Sequence, residues 1–195
     1  MLQDVEVRPV RAAEWRELRS LRLQALQDSP RSFGSTYERE RSLPEEDWRR
    51  LAATAAAGEE AVAIVAVGAG RFVRMARGVV TGDPAEEESR TVWLLSVYVD
   101  PAWRGRGVGR AVCESITGWA RERGAAGVLL RVGDWNAPAR ILYEGMGFTV
   151  TGRQDRLAWD ASVVESEMHL VLAGEDDVVA GTERPSGRGC EGATA

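Results

Sequence analysis

Leu95-Ser96-Val97-Tyr98-Val99-Asp100-Pro101-Ala102-Trp103-Arg104-Gly105-Arg106-Gly107-Val108-Gly109-Arg110-Ala111 is the stretch on which the fold turns. Its first half is β-rich, and Asp100-Pro101 ends the run. Gly105, Gly107 and Gly109 then alternate and lead into a segment where Val108, Val112, Ile116, Trp119 and Ala120 form one helical stripe, with Gly124 as its stop. Glycines let a backbone approach a bulky anion and aim successive N–H groups at it. The helix N-terminus behind them adds about half a positive charge, and Arg104, Arg106 and Arg110 can neutralise what remains. The segment reads as a pyrophosphate cradle. A dinucleotide fingerprint G-x-G-x-x-G would need glycine where Arg110 stands, and an acidic residue ending the next strand.

Outward from this cradle the hydrophobic period alternates between extended and helical. Val5 and Val7 predict a short first strand stopped by Pro9, and Trp15, Leu18, Leu21, Ala25 and Leu26 an amphipathic helix over 11–27. Phe33–Tyr37 reads as a loop or short turn. Ser42, three residues before Glu45, looks like a capping box opening a second helix that Gly58 closes. Ala61–Val67, Arg71–Thr81 and Thr91–Val99 suggest an antiparallel meander. Downstream of the cradle helix come a buried strand at Gly127–Val132, a short helix at Ala137–Glu144 and strands at Phe148–Gly152 and Val163–Leu172. The order β-α-α-β-β-β-α-β-α-β-β predicts a mixed α/β fold: a mostly antiparallel sheet with one parallel β-α-β crossover at the cradle. Residues 1–172 are expected to form one domain and the Gly-, Glu- and Ser-rich 173–195 a disordered tail.

Composition removes several chemistries. The chain has 195 residues, 44% hydrophobic and 28% charged, and all 25 basic residues are Arg. Without Lys there is no Walker phosphate loop, no pyridoxal Schiff base and no protein-kinase strand Lys. His169, Cys113 and Cys190 offer no zinc-ligand spacing, and two distant Cys suit a reducing compartment. A net charge of −5 argues against a nucleic-acid partner, and no apolar run approaches the ~20 residues that span a bilayer. A cytoplasmic protein without membrane contact is expected.

Arg104-Gly105-Arg106-Gly107-Val108-Gly109 resembles the (Q/R)-x-x-G-x-(G/A) acetyl-CoA signature of the GCN5-related N-acetyltransferase (GNAT) superfamily. Asn136-Ala137-Pro138-Ala139-Arg140-Ile141-Leu142-Tyr143-Glu144-Gly145-Met146-Gly147-Phe148 is similar to that superfamily's N-x-x-A-x-x-L-Y-x-x-x-G-F segment. One helix and one strand separate the two motifs. The resemblance implies an acetyl-CoA-dependent N-acetyltransferase in which the strand before the glycines splays from its parallel neighbour. Backbone groups of Val97, Tyr98 and Val99 would then hold the pantetheine amides. The N–H groups of Arg104, Gly105, Arg106, Gly107, Val108 and Gly109, extending to Arg110 and Ala111, would receive the pyrophosphate. Asn136 and Ala139 match cofactor-contacting positions, although Asn136 is equally a good N-cap for the helix it precedes. Tyr143 matches the residue that protonates the departing thiolate; a phenol near pKa 10 can serve a thiolate of parent value roughly 8.5 to 9 once the two are held together.

The acceptor side departs from the pattern. An acceptor amine resembling Lys must lose a proton at a cost of about 4.6 kcal/mol at pH 7. Many superfamily members place a Glu on the fourth strand for this, yet Thr91–Val99 contains no carboxylate and no His. Glu38, after Tyr37 in the region that walls the acceptor pocket in the superfamily, is the base candidate carried forward; Asp134, Glu165, Glu167 and His169 are alternatives. Trp93, Trp135 and Trp159 are placed to shape a pocket or a homodimer surface, and Gln154–Asp160 to overhang the acceptor. A small-molecule amine and a protein N-terminus both stay open as acceptors. A GNAT-fold module that binds acyl-CoA without turnover is the rival reading, and a nicotinamide or flavin protein a weaker one.

Overall fold

Extended runs rich in Val and Ala, broken by tight glycine turns, draw the middle of the chain into a sheet, and the amphipathic stripes lay helices on both of its faces. The computed structural model describes residues 5–82, 90–105 and 108–172; the acidic stretch 83–89, the loop positions Arg106 and Gly107 and the expected tail 173–195 lie outside the described residues. Strand β1 (Val5–Pro9) is followed by helices α1 (Trp15–Asp28), α2 (Tyr37–Arg41) and α3 (Glu45–Ala57), then by strands β2 (Ala61–Gly68), β3 (Arg71–Thr81) and β4 (Thr91–Val99). Helix α4 (Val108–Glu122), strand β5 (Gly127–Gly133), helix α5 (Ala137–Glu144) and strands β6 (Thr149–Leu157) and β7 (Asp160–Val171) complete the domain. One sheet of seven strands runs β1-β2-β3-β4-β5-β7-β6. Among the described strands only β4 and β5 pair in parallel, as the crossover through α4 requires.

Each face of the sheet carries its own core. On one, Leu18, Leu21 and Leu26 of α1 and Trp48 of α3 pack on Val65, Met75 and Tyr98. On the other, Val112, Ile116 and Trp119 of α4 pack on Val62, Val92, Val128 and Leu130, joined by Tyr143 and Phe148 around α5. Trp119 also donates its indole N–H to the Gly58 carbonyl at 3.0 Å, tying α4 to the end of α3. That helix crosses β3 so closely that a Cβ built at Gly78 falls 3.0 Å from the Trp119 ring and 3.1 Å from Ile116 Cγ2. Gly78→Val is therefore expected to destabilise by about 1–3 kcal/mol through overpacking, read as a melting temperature lowered by roughly 2–12 °C.

Three local expectations change. Tyr37–Arg41 forms a short helix, capped by Thr36 Oγ1 accepting from the Arg39 N–H at 3.3 Å. The Ser42–Glu45 capping box does not form: Pro44 occupies the N-cap of α3, and Ser42 Oγ donates to the Arg39 carbonyl at 2.8 Å instead. Strand β6 continues past Gly152 to Leu157, so Gln154–Leu157 belongs to a hairpin with β7.

Candidate active site

The parallel pairing is short. Thr91, Val92 and Trp93 stand opposite Gly127, Val128 and Leu129, and beyond Trp93 the two strands part. β5 stays in register with β7 along its whole length, from Gly127 opposite Val171 to Gly133 opposite Glu165. β4 instead stays with β3 but bulges: Arg77 faces Leu95 and Met75 faces Tyr98, so Ser96 and Val97 together oppose Ala76. Ser96 takes φ 55°, a region that L residues enter at a cost of order 1–3 kcal/mol and that clusters at functional sites. The bulge and the splay leave backbone groups of β4 facing a cleft of about 960 Å³.

The end of β4 is held firmly. Asp100 is buried and accepts from Arg71 at 2.8 Å, Gln24 at 3.1 Å and the Ala102 N–H at 2.9 Å, which turns the chain into the glycine loop. Gly105 has φ 75°, a conformation that glycine adopts without strain. A Cβ at Gly109 would point between Leu142 (3.5 Å) and Val99 (3.9 Å), so its absence widens the floor of the cleft. Arg104 sits at the rim, donating to the Val99 carbonyl at 3.1 Å and to Asp28 at 2.5 Å. The sequence residues Val97, Tyr98, Val99, Arg104, Gly105, Gly109, Asn136, Ala139 and Tyr143 all line this cleft. Val108 opens α4, and Ala111 lies in its first turn. The Arg110 side chain turns away, donating to the Gly145 carbonyl at 2.7 Å and to Glu114, so only its backbone could serve an anion in the cleft. Asn136 is the α5 N-cap, its Oδ1 accepting from the Ala139 N–H at 3.3 Å, and the residue also borders the cleft.

Tyr143 is buried with its ring edge-on to Phe148 at 5.9 Å. Its hydroxyl makes no hydrogen bond among the described residues. Burial pushes this phenol well above its ordinary value, and the nearby Cys113 adds to the shift. Burial likewise pushes the Cys113 thiol up to about 12, so it is a packed side chain and no nucleophile.

The predicted base is not at the cleft. Glu38 is 76% exposed and pairs with Arg41 one turn along α2, because the helix that forms there points it to solvent. Among the alternatives, Asp134 accepts from Ser166 at 2.6 Å, Glu167 is buried and accepts from Thr151 at 3.0 Å, and His169 packs against Gly127. Only Glu165 lines the cleft. Burial raises its pKa, Arg131 opposes that, and Asp155 across the β6–β7 pair adds to it. Arg131 stacks on Trp93 at 5.3 Å and bonds Asp155 at 2.6 Å. Trp135 completes this wall, and Trp159 donates to the Phe33 carbonyl at 2.9 Å, fastening the β6–β7 turn to the loop after α1.

Arg22, Arg74 and Arg77 also line the cleft and were not anticipated. For Arg74 and Arg77 the signal was there to see: Phe72-Val73-Arg74-Met75-Ala76-Arg77 places charges inside a strand that otherwise reads as core. Arg22 bonds Glu40 through Nε at 2.9 Å and Nη2 at 2.6 Å. Burial alone would raise the Glu40 carboxyl, but these bonds and the Arg22 charge hold it below the ordinary value. Hydrogen bonds from Arg8 lower Glu14, and Asp100 is lowered against its burial by Arg71 and Gln24. All three bind a proton more weakly folded than unfolded. Their stabilisation is present above the ordinary carboxylate range and is lost as pH falls through the lowered values; Glu165, shifted upward, works in the opposite direction. A falling melting temperature below about pH 4.5 is expected, and Glu40→Gln should flatten part of that fall.

With this geometry in place, the kinship of the chain follows. Residues 15–148 match the acetyltransferase (GNAT) family, and the chain belongs to that family. It is 29% identical over 101 residues to N-acetyltransferase 8 of Homo sapiens, covering 52% of this chain and 44% of that protein. It is 30% identical over 88 residues to the thialysine N-epsilon-acetyltransferase of Bos taurus, covering 45% and 51%. The chain thus spans about half the length of these relatives. Its fold matches yncA of Salmonella typhimurium, solved with its cofactor acetyl-CoA, at a TM-score of 0.70 and 19% identity, covering 96% of this chain and 99% of that one.

Proposed function

We propose that this protein is an acetyl-CoA-dependent N-acetyltransferase that passes the acetyl group directly to a primary amine. The observation that carries the reading is the parting of β4 from β5 over the glycine loop, with Tyr143 lining the gap. Family membership and the acetyl-CoA in yncA support the choice of donor. Acetyl-CoA supplies an activated thioester when bound. The freed backbone of Val97, Tyr98 and Val99 suits the pantetheine amides. The N–H groups of Arg104 and Gly105 and those from Val108 to Ala111 suit the pyrophosphate, with Asn136 and Ala139 beside them and the Arg104 charge at the rim. An N–H near Val97 would polarise the carbonyl under attack.

Two side chains move protons. Glu165 takes one from the incoming ammonium, in place of Glu38, because it is the carboxylate that reaches the cleft. As the new N–C bond forms and the C–S bond breaks, Tyr143 gives its proton to the sulfur, and the second proton shed by the nitrogen restores the phenol through water in the open cleft. The chain belongs, on its sequence, in the cytoplasm; no helix among the described residues is long and apolar enough to cross a membrane. The test is a melting curve with acetyl-CoA, then free-thiol release across a panel of amines. Donor at 100 times Kd should stabilise by about 2.7 kcal/mol. No shift with acetyl-CoA overturns the donor assignment; a shift without thiol release from any amine leaves a binding module.

A further inference from the structure

A second cavity of about 590 Å³ lies behind the first, between α1, α3 and β3. Arg22, Ser35, Arg77 and Ser96 border both, so the two guanidinium groups stand where the cavities meet, beside the β4 bulge. Among the residues lining the second cavity are four arginines, Arg22, Arg39, Arg50 and Arg77, against the carboxylates Glu40 and Asp47. Glu40 is committed to Arg22, at 2.6 Å, and Asp47 to Arg50. No carboxylate bonds Arg77 among the described residues.

The unspent hydrogen-bonding capacity here is all of one kind. Arg22 Nη1, Arg77 Nε and the indole Nε1 of Trp48 are buried donors with no partner among the described residues, and all three residues line the second cavity. A buried donor left unpaired costs ~1–3 kcal/mol, and more when charged. The geometry adds the sign of the occupant. Arg22 and Arg77 bring two guanidinium groups to the junction of the cavities while Glu40, bonded to Arg22, is the one carboxylate beside them among the described residues, so the junction suits a group that accepts and carries negative charge.

We infer that the acceptor amine carries a carboxylate, which docks on Arg77 and Arg22 where the two cavities meet while its amine faces Glu165 across the bulge of β4. This rests on the transferase reading and names its substrate class. The arrangement discriminates by charge: a guanidinium already facing a second guanidinium repels a purely cationic amine and accepts a zwitterionic one. Burial and the neighbouring Arg22 both lower the Arg77 pKa, while Glu40 opposes them. An anion at this point relieves both penalties.

The experiment compares matched acceptors on the intact protein. Straight-chain ω-amino acids from β-alanine to 6-aminohexanoate, and α-amino acids, are set beside their carboxamides and the amines lacking the acid group. Both thiol release and the shift in melting temperature are read. At the chain length that fits, the acid should exceed its carboxamide about 10- to 100-fold in kcat/KM, as expected for a hydrogen bond to a charged group. Arg77→Gln should remove most of that preference, and Arg77→Lys, which keeps the charge, should restore part of it. If Arg77→Gln does not fold, the comparison of acid with carboxamide on the unaltered protein decides alone. Equal use of acid and carboxamide, or preference for the simple amine, overturns the inference. Arg77-dependent stabilisation by the acid with no thiol release would support the carboxylate site and overturn the transferase reading instead.

Discussion

Tyr143→Phe lowers kcat by about 10²-fold or more while the affinity for acetyl-CoA stays close to that of the unaltered protein. The ring keeps its edge-on contact with Phe148 at 5.9 Å, and no hydrogen bond of the hydroxyl is lost among the described residues. Only the proton goes. Burial holds the phenol neutral far above physiological pH, which at first sight makes it a poor acid. The departing thiolate forms beside the same buried ring, however, and partial desolvation there raises its proton affinity in parallel. What matters is the match between the two groups, and moving both into low dielectric preserves it. The variant should retain the melting shift with acetyl-CoA and lose thiol release. Acyl donors whose thiol is the better leaving group, such as thioesters of more acidic thiols, need the proton least and should be affected least. Unchanged turnover would remove Tyr143 from proton delivery and leave it a packing residue.

What could be read without coordinates was whatever local chemistry dictates. The stripe Trp15, Leu18, Leu21, Ala25 and Leu26 predicted for the first helix is the set of residues that α1 buries. Helix α5 runs from Ala137 to Glu144 as its Asn-Ala-Pro start suggested. The turn into α4 was legible for the same reason: a tight strand-to-helix turn writes glycine into alternating positions, and Gly105 takes φ 75° there. Helix α2 escaped because five residues, Tyr-Glu-Arg-Glu-Arg, cannot display a 3.6 period, and it is held by a cap and by Arg22 from another helix. The far half of β6 escaped because its residues are exposed almost throughout, so pairing with β7, a non-local event, is what makes it a strand.

The acceptor side was illegible for a deeper reason. Its wall is assembled from α1, β3, β4, β5 and β7, and the residues that face one another there are far apart in the chain. Glu38 and Glu40 illustrate the difficulty. They are two positions apart on one short helix, yet one points to solvent beside Arg41 and the other is clamped by Arg22. Glu165 shared a strand face with Glu167 and His169 in the sequence, and nothing local separates the three. The splay of β4 from β5 does, because it opens the cleft alongside Gly133, the residue opposite Glu165.

Glu165→Gln tests that placement, and its effect should be the larger: a fall in kcat of about 10²- to 10⁴-fold for an acceptor that arrives as an ammonium ion. Glutamine keeps the shape of the side chain, so the melting shift with acetyl-CoA should persist. The pH profile carries the argument further. A base acts only when deprotonated, so the rate rises with pH through the carboxyl's raised pKa, and in Glu165→Gln that acid limb should vanish. Its position should answer to the neighbours in a predictable sense. Asp155 raises the Glu165 pKa, and it also occupies Arg131 at 2.6 Å. Asp155→Asn removes a like charge and frees a cation in one change, so the limb should move to lower pH. Arg131→Gln removes the group that lowers the pKa, and the limb should move up. A structural carboxylate would change stability without displacing the limb in these opposite directions. An unmoved limb in both variants, or full activity in Glu165→Gln, would leave the ammonium proton to water and make Glu165 a structural carboxylate of the cleft wall.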